Sequence, residues 1–358
     1  MLGNDRVLWA LALTAATAVG CGGSDTSTSS GGGGAGGTTT TSSTTTTSSS
    51  TTTTSSSQGG APACDGEATI LAVSSLDFGE GSNGQWKKIG FNLDNLTTTS
   101  SSTDVCLPNS DAQTSVPYPD GENGIDNSFG KNLLPLLVSL YSNWNDNVNA
   151  GIQNGVFTSL LKMECLPKEG DIPVMKTKLF GGTSLGGPAK FDGTDMWPVS
   201  PELLSDPMDP DSSTVVFEAS SVTADVFDSG LNQTFILTIP IKTANASSSI
   251  KLTLYNAHTT MTLSADRKSA TGGIIGGVLN TEDLVNEVKK VGALIGICGT
   301  AVFDNIIMQV RQASDIMADG TQDPTKVCDG ISVGLGFEMK AAQIGSVGAP
   351  AEQGMVCP

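Results

Sequence analysis

Histidine, basic side chains and metal-binding cysteine pairs are scarce in this sequence. His258 is the single histidine among 358 residues, and no two of the seven cysteines are spaced as Cys-x-x-Cys. A zinc site therefore lacks its usual ligands. Eighteen Lys and Arg residues stand against 36 Asp and Glu, which gives a net charge of −18. Because this charge would repel a polyanion, we exclude nucleic acid as a partner.

Long apolar runs are also missing. No segment reaches the roughly 20 apolar residues that a membrane-spanning helix needs. The run over residues 7–19 is shorter, follows Arg6 and ends in small residues, which is the layout of a secretory signal. Cys21 comes directly after Gly20 and resembles the lipid-attachment site of bacterial lipoproteins. We therefore predict a lipoprotein signal peptide over residues 1–20 and a lipid on Cys21.

The segment after the signal contains almost nothing that could be buried. Residues 21–61 consist almost entirely of Gly, Ser and Thr, a composition typical of a disordered tether. Two acyl chains on Cys21 would hold this tether firmly to a membrane. Gly22 is not the Asp that retains lipoproteins at the inner membrane of enteric bacteria. We predict an exported protein at the outer membrane or cell surface, with a globular domain over residues 62–358 and a subdivision near residue 210 left open.

The cysteine count supports this assignment. Without Cys21, six cysteines remain, an even set in a domain that we expect in an oxidising compartment. We predict that they form three disulfides, and fifteen pairings are compatible with the sequence. The six residues are Cys64, Cys106, Cys165, Cys298, Cys328 and Cys357.

The residue pattern of the domain predicts an α+β fold, mainly antiparallel β and sandwich or jelly-roll-like, with two or three helices packed on it. Short β-branched segments separated by turn residues follow one another over residues 214–265, as in a meander. Alternating apolar residues predict a strand over residues 86–96. Asn280 or Thr281 is a candidate helix N-cap, and residues 330–341 predict a final strand with one apolar face.

A glycine-rich acidic loop over residues 118–130 is the strongest candidate binding site. Asp120, Glu122, Asn123 and Asp126 place oxygen ligands within a few residues of one another, and calcium takes six to eight oxygens. The loop is not an EF-hand, because its Gly falls at the fifth position and no Glu follows at the twelfth. The alternative is a set of solvated acids in Asx-type turns.

A second motif raises the alternative of catalysis. Residues 182–186, Gly-Thr-Ser-Leu-Gly, match the nucleophile elbow of serine hydrolases. Ser184, then Asp192 or Asp195, then His258 follow the chain order of that family. The elbow needs a helix directly after it, and Gly187-Pro188 do not begin a convincing one. A glycine-rich turn is the simpler interpretation, with His258 in a structural role.

Several segments together resemble a family of uncharacterised secreted lipoproteins of the myxobacterial type. They are WKKIGFNLDNL, DGENGIDNSFG, FDGTDMWPV, the stretch over residues 310–341 and the terminal Cys-Pro. In that family, a Ser/Thr/Gly tether precedes a domain with spaced cysteines. The resemblance implies an exported, lipid-anchored bacterial protein and brings no activity.

We therefore expect a non-catalytic binding or structural role at the cell envelope. The partners expected are a membrane, through the lipid on Cys21, and a glycan or an envelope protein. Calcium is the candidate cofactor. Aromatic side chains for sugar stacking are few, since Trp86, Trp144 and Trp197 are the only tryptophans beyond the signal. An exported serine-type hydrolase using Ser184 and His258 is the alternative.

Overall fold

The computed structural model describes residues 68–80, 84–109, 116–140, 143–242, 247–350 and 354–358. The predictions of a signal peptide, a lipid on Cys21 and a tether fall outside these residues, as does Cys64. Within the described segments, no helix is long and apolar enough to cross a membrane.

Eleven β-strands and four α-helices occur in the described segments. The strands are β1 (Thr69–Asp77), β2 (Thr158–Met163), β3 (Ile172–Gly182), β4 (Met196–Val199), β5 (Val215–Thr223), β6 (Val226–Asp228), β7 (Gln233–Lys242), β8 (Ser247–Leu263), β9 (Ser269–Asn280), β10 (Gly330–Ala341) and β11 (Gln343–Val347). The helices are α1 (Leu134–Leu140), α2 (Trp144–Gln153), α3 (Thr281–Ile295) and α4 (Ala301–Gln312), and a π-helical turn (Phe129–Leu133) leads into α1. The predicted mainly antiparallel α+β fold is confirmed, with four helices instead of two or three.

Eight of the strands pair in a closed ring. Its order is β3-β2-β1-β10-β9-β8-β6-β5, and β5 pairs back with β3, so segments on both sides of residue 210 share one sheet. Every pairing in this ring is antiparallel. β7 pairs with β8 outside the ring, and β4 and β11 extend the sheet beyond β3, with β11 parallel to β4. The sandwich-like fold therefore has its edges joined, which removes open edges from the ring.

Apolar side chains from all eight strands of the ring form one continuous core. Alternate residues of a strand point to opposite faces, and in β10 the predicted stripe of Ile331, Val333, Leu335 and Phe337 is buried. Burial of such a side chain stabilises the fold by about 1.5–3 kcal/mol. A second, smaller core lies where β3 meets β4, and it encloses Trp197, which is 0% exposed.

The helices pack against this ring, and buried side chains of α2, α3 and α4 belong to the same core as those of the strands. Asn280 caps α3 by accepting hydrogen bonds from the backbone N–H groups of Glu282 and Asp283, as predicted. α3 packs on β8, and α4 packs on α3. α2 packs on β1, where the Asn149 side chain accepts a hydrogen bond from Leu76 N at 2.8 Å.

Residues 86–96 do not form the predicted strand. A 3-10 helix (Gln85–Lys88) occupies the first part, and extended pairing is limited to one isolated bridge. The chain here crosses β10 closely, because a Cβ atom at Gly334 would lie 2.0 Å from the carbonyl oxygen of Ile89. The alternating apolar residues thus cover the ring from outside instead of joining it.

Disulfides join distant parts of the domain. Cys106 is bonded to Cys328, 222 residues away, and Cys298 to Cys357, 59 residues away. Cys165 is disulfide-bonded as well. The predicted disulfide bracing is therefore confirmed for the described cysteines.

Candidate functional site

Two loops on the outside of the ring are fastened together by backbone and carboxylate hydrogen bonds. Asp126 N donates to Phe91 O at 2.9 Å, and its carboxylate accepts from Leu93 N at 2.6 Å. Asp120 repeats this arrangement with Thr98, donating from its backbone and accepting with its carboxylate. The carboxyl groups of Asp120 and Asp126 are also hydrogen-bonded to each other. The loops thus bring two acids into direct contact.

Two further carboxylates lie beside this pair. Asp94 accepts a hydrogen bond from the side chain of Gln322 at 2.8 Å, and the same Gln322 donates to Asp315 O at 3.2 Å. The Asp315 carboxylate accepts from the backbone N–H and the hydroxyl of Ser332 on β10. We call Asp94, Asp120, Asp126 and Asp315 the acidic cluster.

Burial and mutual repulsion raise the pKa values of three members of this cluster, Asp120, Asp126 and Asp315. Asp126 is 2% exposed, and burial, reinforced by the charges of the other three acids, raises its pKa to about 9. Burial likewise raises the pKa of Asp315 to about 7 and that of Asp120 to about 6. Hydrogen bonds from Ser332 and from the backbone of Leu93 and Thr98 oppose these shifts. The fold therefore disfavours full ionisation of these carboxyl groups, so that at neutral pH the cluster holds at least one proton unless a cation replaces it.

Among the described basic residues, Lys131 is the one whose charge acts on the cluster. Lys131, in the π-helical turn, donates from Nζ to Pro119 O at 2.7 Å. Burial lowers its pKa, while the charges of Asp315 and Asp120 raise it. A single, partly buried ammonium group cannot balance four carboxylates.

An amide oxygen at the same loop lacks a partner. Asn92 donates from its side-chain nitrogen to Leu96 O at 2.7 Å, whereas its buried Oδ1 has no hydrogen-bond partner among the described residues. A buried oxygen of this kind costs free energy unless something binds it. It adds an uncharged oxygen to the ligands that the loops offer.

The predicted calcium ligands separate into two pairs. Asp120 and Asp126 lie in the acidic cluster, but Glu122 is exposed and lies 3.8 Å from Lys88 Nζ. Asn123 is exposed, with a left-handed φ of 58°. Among the described residues, no group of three or more His, Cys, Asp or Glu side chains is already arranged to hold a metal ion. A cation would therefore have to draw the carboxylates together.

The motif Asp126-Asn127-Ser128 fastens the cluster to the ring. The Asn127 side chain donates to the carbonyl oxygens of Trp86, Ile89 and Gly334 and accepts from Gly130 N. The Ser128 backbone donates to the Ser332 hydroxyl, and its own hydroxyl donates to Ala313 O. The hydrogen-bond partners of Asn127 and Ser128 lie in four separate chain segments. These bonds hold the loops in a fixed position on β10.

The residues of the predicted hydrolase are each bonded elsewhere. Ser184 is exposed in a turn after β3, where its hydroxyl accepts from Gly186 N at 3.2 Å. The Asp195 carboxylate accepts from two backbone N–H groups of its own loop, and His258 Nε2 lies 2.9 Å from Asp228. Residues 187–195 contain no helix. The geometry therefore offers no nucleophile elbow.

A surface groove that is lined by no residue of the acidic cluster lies at the two C-terminal helices. It has a volume of about 320 Å³ and is formed by α3, α4 and the C-terminal residues, with Phe303, Ile307 and Met308 in its lining. Arg311 at its rim is held by a bidentate ion pair with Glu282. The groove thus presents an apolar floor without a convergent set of reactive groups.

Protein-family models, curated proteins and solved structures contain no match to this chain. No activity or ligand therefore comes from a relative, and the resemblance to secreted lipoproteins stays a prediction. Any proposal of function rests on the chemistry of the site itself.

Proposed function

We propose that this protein is a lipid-anchored component of a bacterial cell envelope whose domain has a non-catalytic binding role and holds calcium in the acidic cluster. The observation that carries the calcium site is the Asp126 carboxyl group. It is buried, in hydrogen-bond contact with the Asp120 carboxyl, and close to the charges of Asp94 and Asp315.

Calcium suits the oxygen atoms of this site better than other cations do. The ligands at hand are carboxylates and the unpartnered Oδ1 of Asn92, and calcium binds such oxygens in flexible arrangements of six to eight. Magnesium demands a near-ideal octahedron, and zinc prefers nitrogen and sulfur ligands. Two loops joined by hydrogen bonds, without a preformed cage, favour the ion with the most tolerant geometry.

Location at the envelope is supported by the N-terminal sequence and by the disulfides. The apolar segment, Cys21 and the Ser/Thr/Gly tether follow one another in the order of a lipoprotein. Disulfides such as Cys106–Cys328 are expected in an oxidising compartment. Metabolic labelling with a fatty-acid probe should mark the protein and fail to mark C21A; a labelled C21A would overturn the anchor.

Calcium binding is tested by thermal unfolding of the full chain in calcium and in the chelator EGTA. At free calcium a hundredfold above Kd, the ion stabilises the folded state by about 2.7 kcal/mol, which shifts Tm by several degrees. D126N should lose this shift and still unfold cooperatively. D192N is the matched control, because the exposed Asp192 carboxylate accepts hydrogen bonds from the backbone and hydroxyl of Thr194 in its own turn.

The outcome that contradicts the calcium site is equally plain. Identical unfolding curves of the unmodified chain in calcium and in EGTA would refute it. A calcium shift that persists in D126N would place the ion elsewhere. Isothermal titration of the metal-free protein with calcium gives the stoichiometry, for which we expect one ion.

A further inference from the structure

Aromatic rings and lysines meet on the surface next to the acidic cluster. Lys131 Nζ lies 5.1 Å from the ring centroid of Trp86 and 5.7 Å from that of Tyr118, and Lys87 Nζ lies 5.7 Å from the Trp86 ring. Lys88 is exposed in the same 3-10 helix. We call Trp86, Lys87, Lys88, Tyr118 and Lys131 the aromatic–lysine patch.

The backbone beneath this patch is fixed. Trp86 O accepts a hydrogen bond from Asn127, and a Cβ atom at Gly130 would lie 2.7 Å from the Cβ of Trp86. A Cβ atom at Gly121 would lie 2.6 Å from the carbonyl oxygen of Lys87. Such close backbone contacts hold the 3-10 helix in place, so that little conformational entropy is lost when a ligand binds to it.

Trp86 differs from the other two tryptophans of the domain in its surroundings. Trp197 is fully buried, and Trp144 packs edge-on against Phe78 at 6.0 Å. Trp86 is half-buried at the surface, as is Tyr118. A half-exposed Trp or Tyr combines a large apolar face with a polar group, the combination found at binding surfaces.

The charge of the patch is opposite to that of the chain as a whole. It contains three of the 18 basic residues in a sequence with a net charge of −18. Ammonium groups close to aromatic rings are held by cation–π attraction, and they form charge-assisted hydrogen bonds with carboxylates. Lys88 is paired with Glu122 at 3.8 Å, so Lys87 and Lys131 supply the ammonium groups that attract an anionic group to the patch. The rest of the surface repels long polyanions.

We infer that the aromatic–lysine patch binds a saccharide that carries a single carboxylate, such as a terminal uronic acid. The apolar face of the sugar packs on Trp86 or Tyr118, and the carboxylate pairs with the lysine ammonium groups. The dependence of saccharide binding on calcium rests on the proposed function. A calcium ion in the acidic cluster cancels the negative charge that would otherwise repel the carboxylate of the saccharide.

The experiment is isothermal titration of the full-length chain in detergent with a glucuronic acid-terminated trisaccharide and with its carboxyl methyl ester. We expect binding in calcium, and at least tenfold weaker binding of the ester and in EGTA. W86A should weaken binding more than tenfold and keep the calcium-induced shift in Tm. Y255A is the control, because Tyr255 is an exposed aromatic residue on β8.

The outcomes separate this inference from the calcium site. A calcium shift without saccharide binding, or equal binding by W86A and the unmodified chain, overturns the patch alone. Binding that depends on Trp86 but is equal in calcium and in EGTA supports the patch and overturns its coupling to calcium. Binding to phosphatidylglycerol vesicles without saccharide binding assigns the patch to a lipid surface and overturns the inference.

Discussion

Two groups of aspartates on the outside of the ring experience opposite electrostatics. Asp126 lies among acids, and its pKa rises to about 9. Asp211 lies between two lysines, with Lys162 Nζ at 2.5 Å and Lys178 Nζ at 3.1 Å. Partial burial raises the pKa of Asp211, but hydrogen bonds and charges from these lysines lower it by more, so the pKa lies below its usual value. An aspartate is thus paired with positive charge at position 211 and, within the described residues, lies without such a partner among other acids at position 126.

The register of the sheet explains the second group. Lys162 on β2 lies directly opposite Lys178 on β3, a like-charge pair that by itself destabilises a sheet. Asp211 contacts both, and Glu164 lies 2.9 Å from Lys178, so that the charges balance. No comparable set of bases faces Asp126 among the described residues. Uncompensated buried charge is a mark of functional sites, which is why we assign the ligand to the acidic cluster.

The largest expected effect comes from separating the acidic loops. Gln322 holds Asp94 and also accepts a hydrogen bond from Cys106 N, next to the Cys106–Cys328 disulfide. C106S/C328S should lower the free energy of unfolding by about 2–5 kcal/mol and weaken calcium binding. Chemical denaturation and calcium titration measure both effects.

The other described disulfide provides the control. C298S/C357S removes a cross-link that closes a shorter loop, so its stability loss should be about 1 kcal/mol smaller. Because this bond joins the α3–α4 connection to the C-terminal residues, calcium affinity should be unchanged. Equal loss of calcium binding in both double variants would contradict a specific role of Cys106–Cys328 at the cluster.

A smaller effect is expected when the cluster loses one acid without losing its shape. In EGTA at neutral pH, D126N should stabilise the protein by about 1–3 kcal/mol, because burying or protonating this carboxyl group costs free energy that an amide does not incur. In calcium the order of stability should reverse, so that the unmodified chain is more stable than D126N. Urea unfolding of both proteins in EGTA and in calcium measures the two free energies of unfolding. A D126N variant that is less stable than the unmodified chain in EGTA as well as in calcium would contradict this prediction.

The smallest effect is expected at the lysine-paired aspartate. The folded-state pKa of Asp211 lies below its unfolded value, so its stabilisation is present above about pH 4 and is lost as the pH falls further. Since the Asp211 side chain is 43% exposed, D211N should cost less than about 1 kcal/mol near neutral pH.

The pH dependence of this difference is the check. Urea unfolding at a series of pH values should show the gap between D211N and the unmodified chain closing below about pH 4. D209N is the matched control, because the exposed Asp209 carboxylate accepts from the backbone of its own turn. A gap that stays constant with pH would mean that Asp211 acts through packing and not through its charge.

Local patterns predicted much of this fold. Alternation in β10 and the Asn280 cap of α3 depend on neighbouring residues, and both are confirmed. The segment over residues 86–96 shows where prediction from local patterns fails. Its apolar residues alternate with the period of a strand, but the segment contacts the loop of Asp126 and the outside of β10 instead of joining the sheet. Closure of the ring by β3 and β5 likewise depends on pairing between distant residues.

Two of the four acids of the candidate site could be predicted from the sequence. Asp120 and Asp126 share one loop, so their spacing indicated a common ligand. Asp94 lies in the turn-forming run Asn-Leu-Asp-Asn, a weak signal. Asp315 lies 189 positions after Asp126, and only the fold brings it close. Glu122 shares the loop but is exposed and lies 3.8 Å from Lys88 Nζ, because spacing along a loop does not determine which side of the loop a side chain occupies.

The way in which the chain enters the fold has a mechanical consequence. β1 is the first strand of the described residues, and it is paired on both sides: Leu71 lies opposite Leu161 of β2 and Ala341 of β10. A pull along the residues before Thr69 therefore strains two antiparallel ladders at once. A domain attached through such a strand, as in the lipid-anchored form that we propose, resists a pulling force better than one attached through a strand that is paired on one side.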